Sequence, residues 1–133
     1  MAAHQQCTLE WWDAVLPKMD AFVSPVVLEE ISRGDTEAAE QRLSIIESYP
    51  LLEITEEAEI MAERYFVAID IPEKARADAY HLSLATVHGV DFMVTWNCNH
   101  IASGRVRRIV DEINAGLGIR TPVICTPEEL MEV

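Results

Sequence analysis

The chain has 133 residues, half hydrophobic and a quarter charged, which is one domain's worth of sequence with enough apolar material for a core. Its formal charge of −13 excludes a protein that coats duplex nucleic acid, because phosphate neutralisation by a basic face supplies most of that affinity. No apolar run approaches the roughly 18 residues of a membrane helix, and Cys7, Cys98 and Cys125 are too few and too scattered for a disulfide scaffold or a zinc ribbon.

The opening Met1 to Gln6 lacks the basic-then-apolar order of a secretory leader. With the cysteine count, this points to a reduced, cytoplasmic protein. Glu10 to Leu16 predicts a helix, with Trp11, Trp12, Val15 and Leu16 at three-to-four spacing. Ala21-Phe22-Val23 reads as a short strand stopped by Ser24-Pro25. Pro25 suits a first helical turn, so a helix is expected over Val26 to Arg33, ended by Gly34. Asp35 is the expected cap of a third helix, with Ala38, Ala39, Leu43 and Ile46 as its apolar stripe.

Leu51 to Ile54 reads as extended. Thr55 is placed to cap a helix that has acids in its first turn and runs to about Val67. A further helix begins near Glu73 and ends at His88-Gly89. Asp91 to Trp96 is the strongest strand signal, apolar and bounded by Gly89 and Asn97. Ser103 to Ala115 predicts a helix, Thr121 to Cys125 the last strand, and Thr126-Pro127-Glu128-Glu129 a short terminal helix. Strands separated by helices predict a three-layer α/β domain over residues 1–133, a mostly parallel sheet flanked by helices. Such folds usually open on a central apolar strand, and none stands before Trp11.

The acids are unevenly placed. Residues 1–70 carry a net charge of −11 and residues 71–133 only −2. Glu30 shares the helical side of Val26 and Val27, and Asp78 lies on the stripe of Leu82 and Ala85. A carboxylate on a core-facing stripe is costly unless paired or bound to a cation. Asn97 and Asn99 follow the strong strand, where ligand sites of open α/β sheets form. Oxygen donors of this kind suit a hard divalent cation. Pairing of each acid with an arginine or a helix N-terminus and a plain turn role for Asn97 are the competing readings.

Three segments resemble the PIN domain, in particular the ribonuclease toxins of VapC type. Phe22 to Gly34 is similar to the family's strand, serine, apolar run and glutamate, with a glycine four residues on, which selects Glu30. Ala77 to Ala85 is similar to its aspartate and small-residue helix, which selects Asp78. In Phe92 to Ile101 the family has a threonine followed two residues later by an aspartate; here Thr95 is followed by Asn97. The family's first strand, ending in a central aspartate, has no counterpart. Either the chain or its start codon begins late, or the strand has been lost. The resemblance implies a Mg2+ or Mn2+ ion held by Glu30, Asp78 and Asn97, with Glu30 and Asp78 catalytic in hydrolysis of RNA. Without the first aspartate the activity is expected to be impaired. The alternative is a non-catalytic module that oligomerises or binds an antitoxin-like protein.

Arg105, Arg107 and Arg108 can touch phosphate, but i,i+4 pairing with Asp111 and Glu112 is the preferred expectation. Trp11 and Trp12 read as core or interface rather than as base-stacking platforms. The histidines show no metal-ligand spacing, and His81, close after Asp78, is the one that invites mutation. Ile45, Ile46, Ile60, Met61, Tyr65 and Phe66 are either core or the groove for an antitoxin helix. A sheet lacking its central strand exposes an edge or gap, so a homo-oligomer is expected.

Overall fold

A computed structural model describes residues 2–31 and 36–131. Helix α1 spans Ala2–Ala14 and runs into a 3₁₀ turn at Leu16–Lys18, where Pro17 fits the first turn. Helix α2 spans Pro25–Ile31 and α3 spans Thr36–Ile46. The expected stop at Gly34 and cap at Asp35 lie outside the described residues. Helix α4 spans Glu56–Ile69, with Thr55 accepting from the backbone N–H of Ala58 as the sequence predicts. It ends at Asp70, which takes a left-handed φ of 60° and donates its N–H to Phe66. A 3₁₀ turn at Glu73–Ala75 leads into α5, Arg76–Val87. Strand β1 is Phe92–Val94, α6 is Gly104–Gly116 capped by the Ser103 side chain, β2 is Val123–Cys125, and α7 is Pro127–Leu130.

The architecture is helix-rich α/β. β1 and β2 form a two-stranded parallel sheet with Met93 opposite Ile124. The segments expected to be strands at Ala21–Val23 and Leu51–Ile54 meet only in an isolated parallel bridge, Val23 to Leu51. Among the described residues, that bridge and the sheet are separate pieces. The larger parallel sheet expected from the sequence is thus reduced to one short ladder and one isolated bridge, with no hydrogen bond joining them among the described residues.

The main core lies where α4, α5 and α6 meet β2. Tyr65, Ile69, Leu82, Ile101, Val106, Val110 and Ile124 are buried there. Burying side chains of this size stabilises a fold by roughly 1.5–3 kcal/mol each before chain entropy is counted. Asn114 is fully buried within it, accepting from the Tyr65 hydroxyl and donating to Thr121. A smaller cluster joins α1 to the C-terminal end of the chain through Trp11, Val15, Leu16, Cys125 and Leu130. Trp12 meets the Tyr49 ring edge-on with centroids 6.1 Å apart. Both tryptophans therefore serve packing, as expected.

Candidate functional site

Strand β1 leads into a turn organised by Asn97. The Asn97 N–H donates to Thr95 Oγ1 at 3.0 Å, and its side-chain oxygen accepts from the His100 N–H at 3.0 Å. Its carbonyl accepts from Ala102 at 2.7 Å. The turn aims the His100 ring at α5, where Nδ1 lies 2.9 Å from Asp78 Oδ2. Asp78 sits in the first turn of α5, where the helix dipole favours a negative charge.

One turn further along α5, His81 bridges two groups of the α2 region. Nε2 lies 2.6 Å from Glu30 Oε1, and Nδ1 lies 3.1 Å from Ser24 Oγ. A neutral ring donating from Nε2 accepts the Ser24 hydroxyl proton at Nδ1; a protonated ring donates to both. Ser24 Oγ also accepts from the Val26 N–H at 3.3 Å, capping α2.

Glu30, Asp78 and Asn97, distant in sequence, line one cavity of about 950 Å³, together with Ser24, His81 and Thr95. Asp78 is as buried as its stripe predicts, with a side chain 15% exposed. Glu30 is not: its side chain is 44% exposed. The short α2 turns that carboxylate outward to the His81 ring rather than into the core. Each acid pairs with a histidine rather than an arginine, and Asp78 also lies at a helix N-terminus, the other alternative weighed from sequence.

Hard oxygen ligands suit a divalent cation. Glu30 and Asp78 each engage one oxygen with a histidine and keep the second, and the Asn97 oxygen has a spare lone pair. Among the described residues, no three His, Cys, Asp or Glu side chains gather as a ready-made metal cluster. Two carboxylates and one amide oxygen bordering one cavity are too few donors for a pair of ions and would leave a single ion largely hydrated.

Sequence points to His81, close after Asp78, but not to His100 as a partner of the site. His81 stands three residues after Asp78 and His100 three after Asn97, so each shares a turn with a chosen residue. That spacing is the signal the sequence carries for both histidines.

The arginines depart from expectation. Arg107 donates to Glu129 at 2.9 Å and to the Ile124 carbonyl at 2.9 Å, reaching β2 and α7 instead of Asp111. Arg105 donates to the Ile69 carbonyl at 2.8 Å, satisfying the end of α4. Both are used as structural ties. Of the possible groove residues, Met61 and Tyr65 are core, Phe66 packs on that core, and Ile45 and Ile60 are exposed. No helix is long and apolar enough to cross a membrane among the described residues. No family model, curated protein or solved structure matches this chain.

Proposed function

We propose that this chain is a PIN-like domain of VapC type whose cleft binds one Mg2+ or Mn2+ ion and hydrolyses RNA slowly. The observation that supports this reading is that Glu30, Asp78 and Asn97, selected across 68 positions of sequence, border one cavity. Glu30 and Asp78 supply the two negative charges, and Asn97 a neutral oxygen. A bound ion of this kind supplies an activated water and stabilises charge on a phosphate.

The chain's own residues orient and bind. His81 and His100 each hold a proton, at Nε2 and Nδ1 respectively, against one carboxylate oxygen, which competes with the ion for that oxygen and leaves the other for it. Asn97 cannot act as a general base, because an amide has no accessible basic form. Two carboxylates hold magnesium weakly, so the activity is low. The test is divalent-dependent cleavage of single-stranded RNA by the purified chain, with Asp78→Asn as control. Slow cleavage that needs the ion and disappears in the variant supports the reading. Ion-independent cleavage, or cleavage that persists in the variant, refutes it.

A second reading has its own support. The bridge at Val23 and the sheet at β1 are unconnected and border the same cavity, as suits a non-catalytic module that pairs with another chain, a second copy or an antitoxin-like protein. Cation indifference combined with self-association or tight pairing to a small co-expressed protein would favour it over the enzyme.

A further inference from the structure

The cavity that holds Glu30 and Asp78 extends between two pieces of extended backbone. On one side, the ladder with β2 is marked by the Val123 N–H donating to Asp91 and the Thr95 N–H to Cys125, both at 2.9 Å. This register commits both backbone groups of Met93 to β2. Alternation along a strand then turns those of Phe92 and Val94 away from it. On the other side, the Val23 N–H donates to Pro50 and its carbonyl accepts from Leu52, each at 2.9 Å. The backbone groups of Phe22 therefore face the opposite way. Phe22, Phe92 and Val94 all line the cavity, so the free edge of β1 and the extended backbone at the Val23 bridge border one void.

Both edges run toward the same place. Ser24, just after the bridge, meets His81, and His100, beyond β1, meets Asp78, one turn earlier on α5. The two segments thus approach a common turn of α5 in the same sense. The remaining wall is largely apolar and includes Trp12, Leu16, Val27 and Ala85. Trp11 also lines it. This residue is 8% exposed, and its indole Nε1 is a buried donor with no partner among the described residues.

We propose that the cavity is a slot that accepts a strand from a partner polypeptide. An extended segment of about four to six residues enters it and bonds to Phe22 on one side and to Phe92 and Val94 on the other. The occupant's chemistry follows from the walls. Alternating donors and acceptors on the border of such a void are matched by extended peptide backbone, which pairs with a neighbour at a spacing of about 4.8 Å. A middle strand of a parallel sheet is covered on both faces and is apolar throughout. Asp20 and Asp91 line the same cavity, and with the net charge of −13 they favour basic residues flanking the apolar run. The inference stands without any cation at Glu30 and Asp78.

The probe is an acetylated peptide of five alternating valines and isoleucines with a lysine at each end. Its control carries N-methyl groups on alternate backbone nitrogens, which keeps the apolar surface and removes donors from one edge. Binding is read by tryptophan fluorescence, and its location by hydrogen exchange at the amides of Phe22, Phe92 and Val94. We expect saturable binding, new protection at those three amides, and affinity at least roughly tenfold lower for the methylated peptide. Val94→Pro deletes an N–H that faces the slot and none that β2 uses; with a native circular dichroism spectrum, it should bind the peptide roughly tenfold more weakly. Absent binding, equal binding of the two peptides, or undiminished binding by a folded Val94→Pro variant overturns the proposal. So does a dimer in sedimentation whose Phe22, Phe92 and Val94 amides are already protected without peptide, since a second copy would then fill the slot.

Discussion

His81 Nε2 lies 2.6 Å from Glu30 Oε1, and this contact ties α5 to α2 across 51 residues of sequence. The imidazole occupies an oxygen that a cation would otherwise use, so the two substitutions of the pair should act in opposite directions. We expect His81→Ala to tighten Mn2+ binding a few-fold, since an exposed pair of this kind is worth about 0.2–1 kcal/mol. Glu30→Gln should weaken it by more. Titration followed by electron paramagnetic resonance checks both. Weaker binding by His81→Ala would mean that the histidine assists the ion, contrary to the proposed donor set.

Asp78 depends on His100 more heavily, because it is the more buried of the two acids. Removing the ring by His100→Ala leaves a mostly buried carboxylate with one fewer donor. We expect a loss of about 1–3 kcal/mol in urea unfolding. Adding Asp78→Asn in the same chain should recover part of that loss, because neutralising the acid removes the charge left unpaired. Strict additivity of the two substitutions would show that the contact carries no coupling.

Local chemistry was legible in the sequence. Thr55 caps α4, and the stretch from Ser103 and the Thr126-Pro127 start were placed within a residue or so, because caps and first turns involve residues three or four apart. The two strongest strand signals, around Met93 and Ile124, became β1 and β2. Pairing between distant segments was not legible. Ala21–Val23 has the composition of a strand, yet only Val23 bridges, because a ladder needs a neighbour that composition does not specify. Glu30 misled for a related reason. Its stripe with Val26 and Val27 assumed that one face of a short helix is covered along its whole length, whereas its far end meets the His81 ring and solvent. Asp78, on a longer helix packed against α4, followed its stripe.

The Tyr65 hydroxyl donates to the side-chain oxygen of Asn114, and both residues are fully buried. Tyr65→Phe removes the donor and leaves the amide oxygen without it. We expect the fold to lose about 1–3 kcal/mol, measured by denaturant unfolding, even though the ring is kept. Burial, the largest cause, pushes the phenol above its ordinary value of 10.0, with its side-chain hydrogen bonding to Thr86 and Asn114 acting against it. The folded chain thus prefers the neutral phenol. This contribution is complete below about pH 10 and declines as the pH rises toward the folded value; the phenylalanine variant should lack that part of the alkaline loss.

Glu129 closes the C-terminal end of the described chain. Its carboxylate accepts from the Thr126 N–H at 2.9 Å, its own N–H donates to Thr126 Oγ1 at 3.3 Å, and Arg107 donates to the same carboxylate at 2.9 Å. The Thr126 backbone bond, first, and Arg107 hold the carboxyl below its ordinary 4.5, against a smaller opposing effect of burial. A depressed carboxylate stabilises the fold above its unfolded value. That stability is therefore present above about pH 4.5 and is lost as the pH falls through the lower folded value. The effect is small, because the side chain is half exposed and Arg107 is screened by water. Glu129→Ala removes both the capping bond and the ion pair, and we expect it to cost about 1 kcal/mol at pH 7. Glu129→Gln keeps a side chain able to complete the capping box and loses only the charge, so it should cost about half as much. The gap between the parent and Glu129→Gln should close as the pH is lowered from 6 to 3, because the parent becomes neutral as well. A gap that stays constant over that range would mean that the carboxylate charge contributes nothing, and that α7 is held by the burial of Leu130 against Trp11 and Leu16 alone.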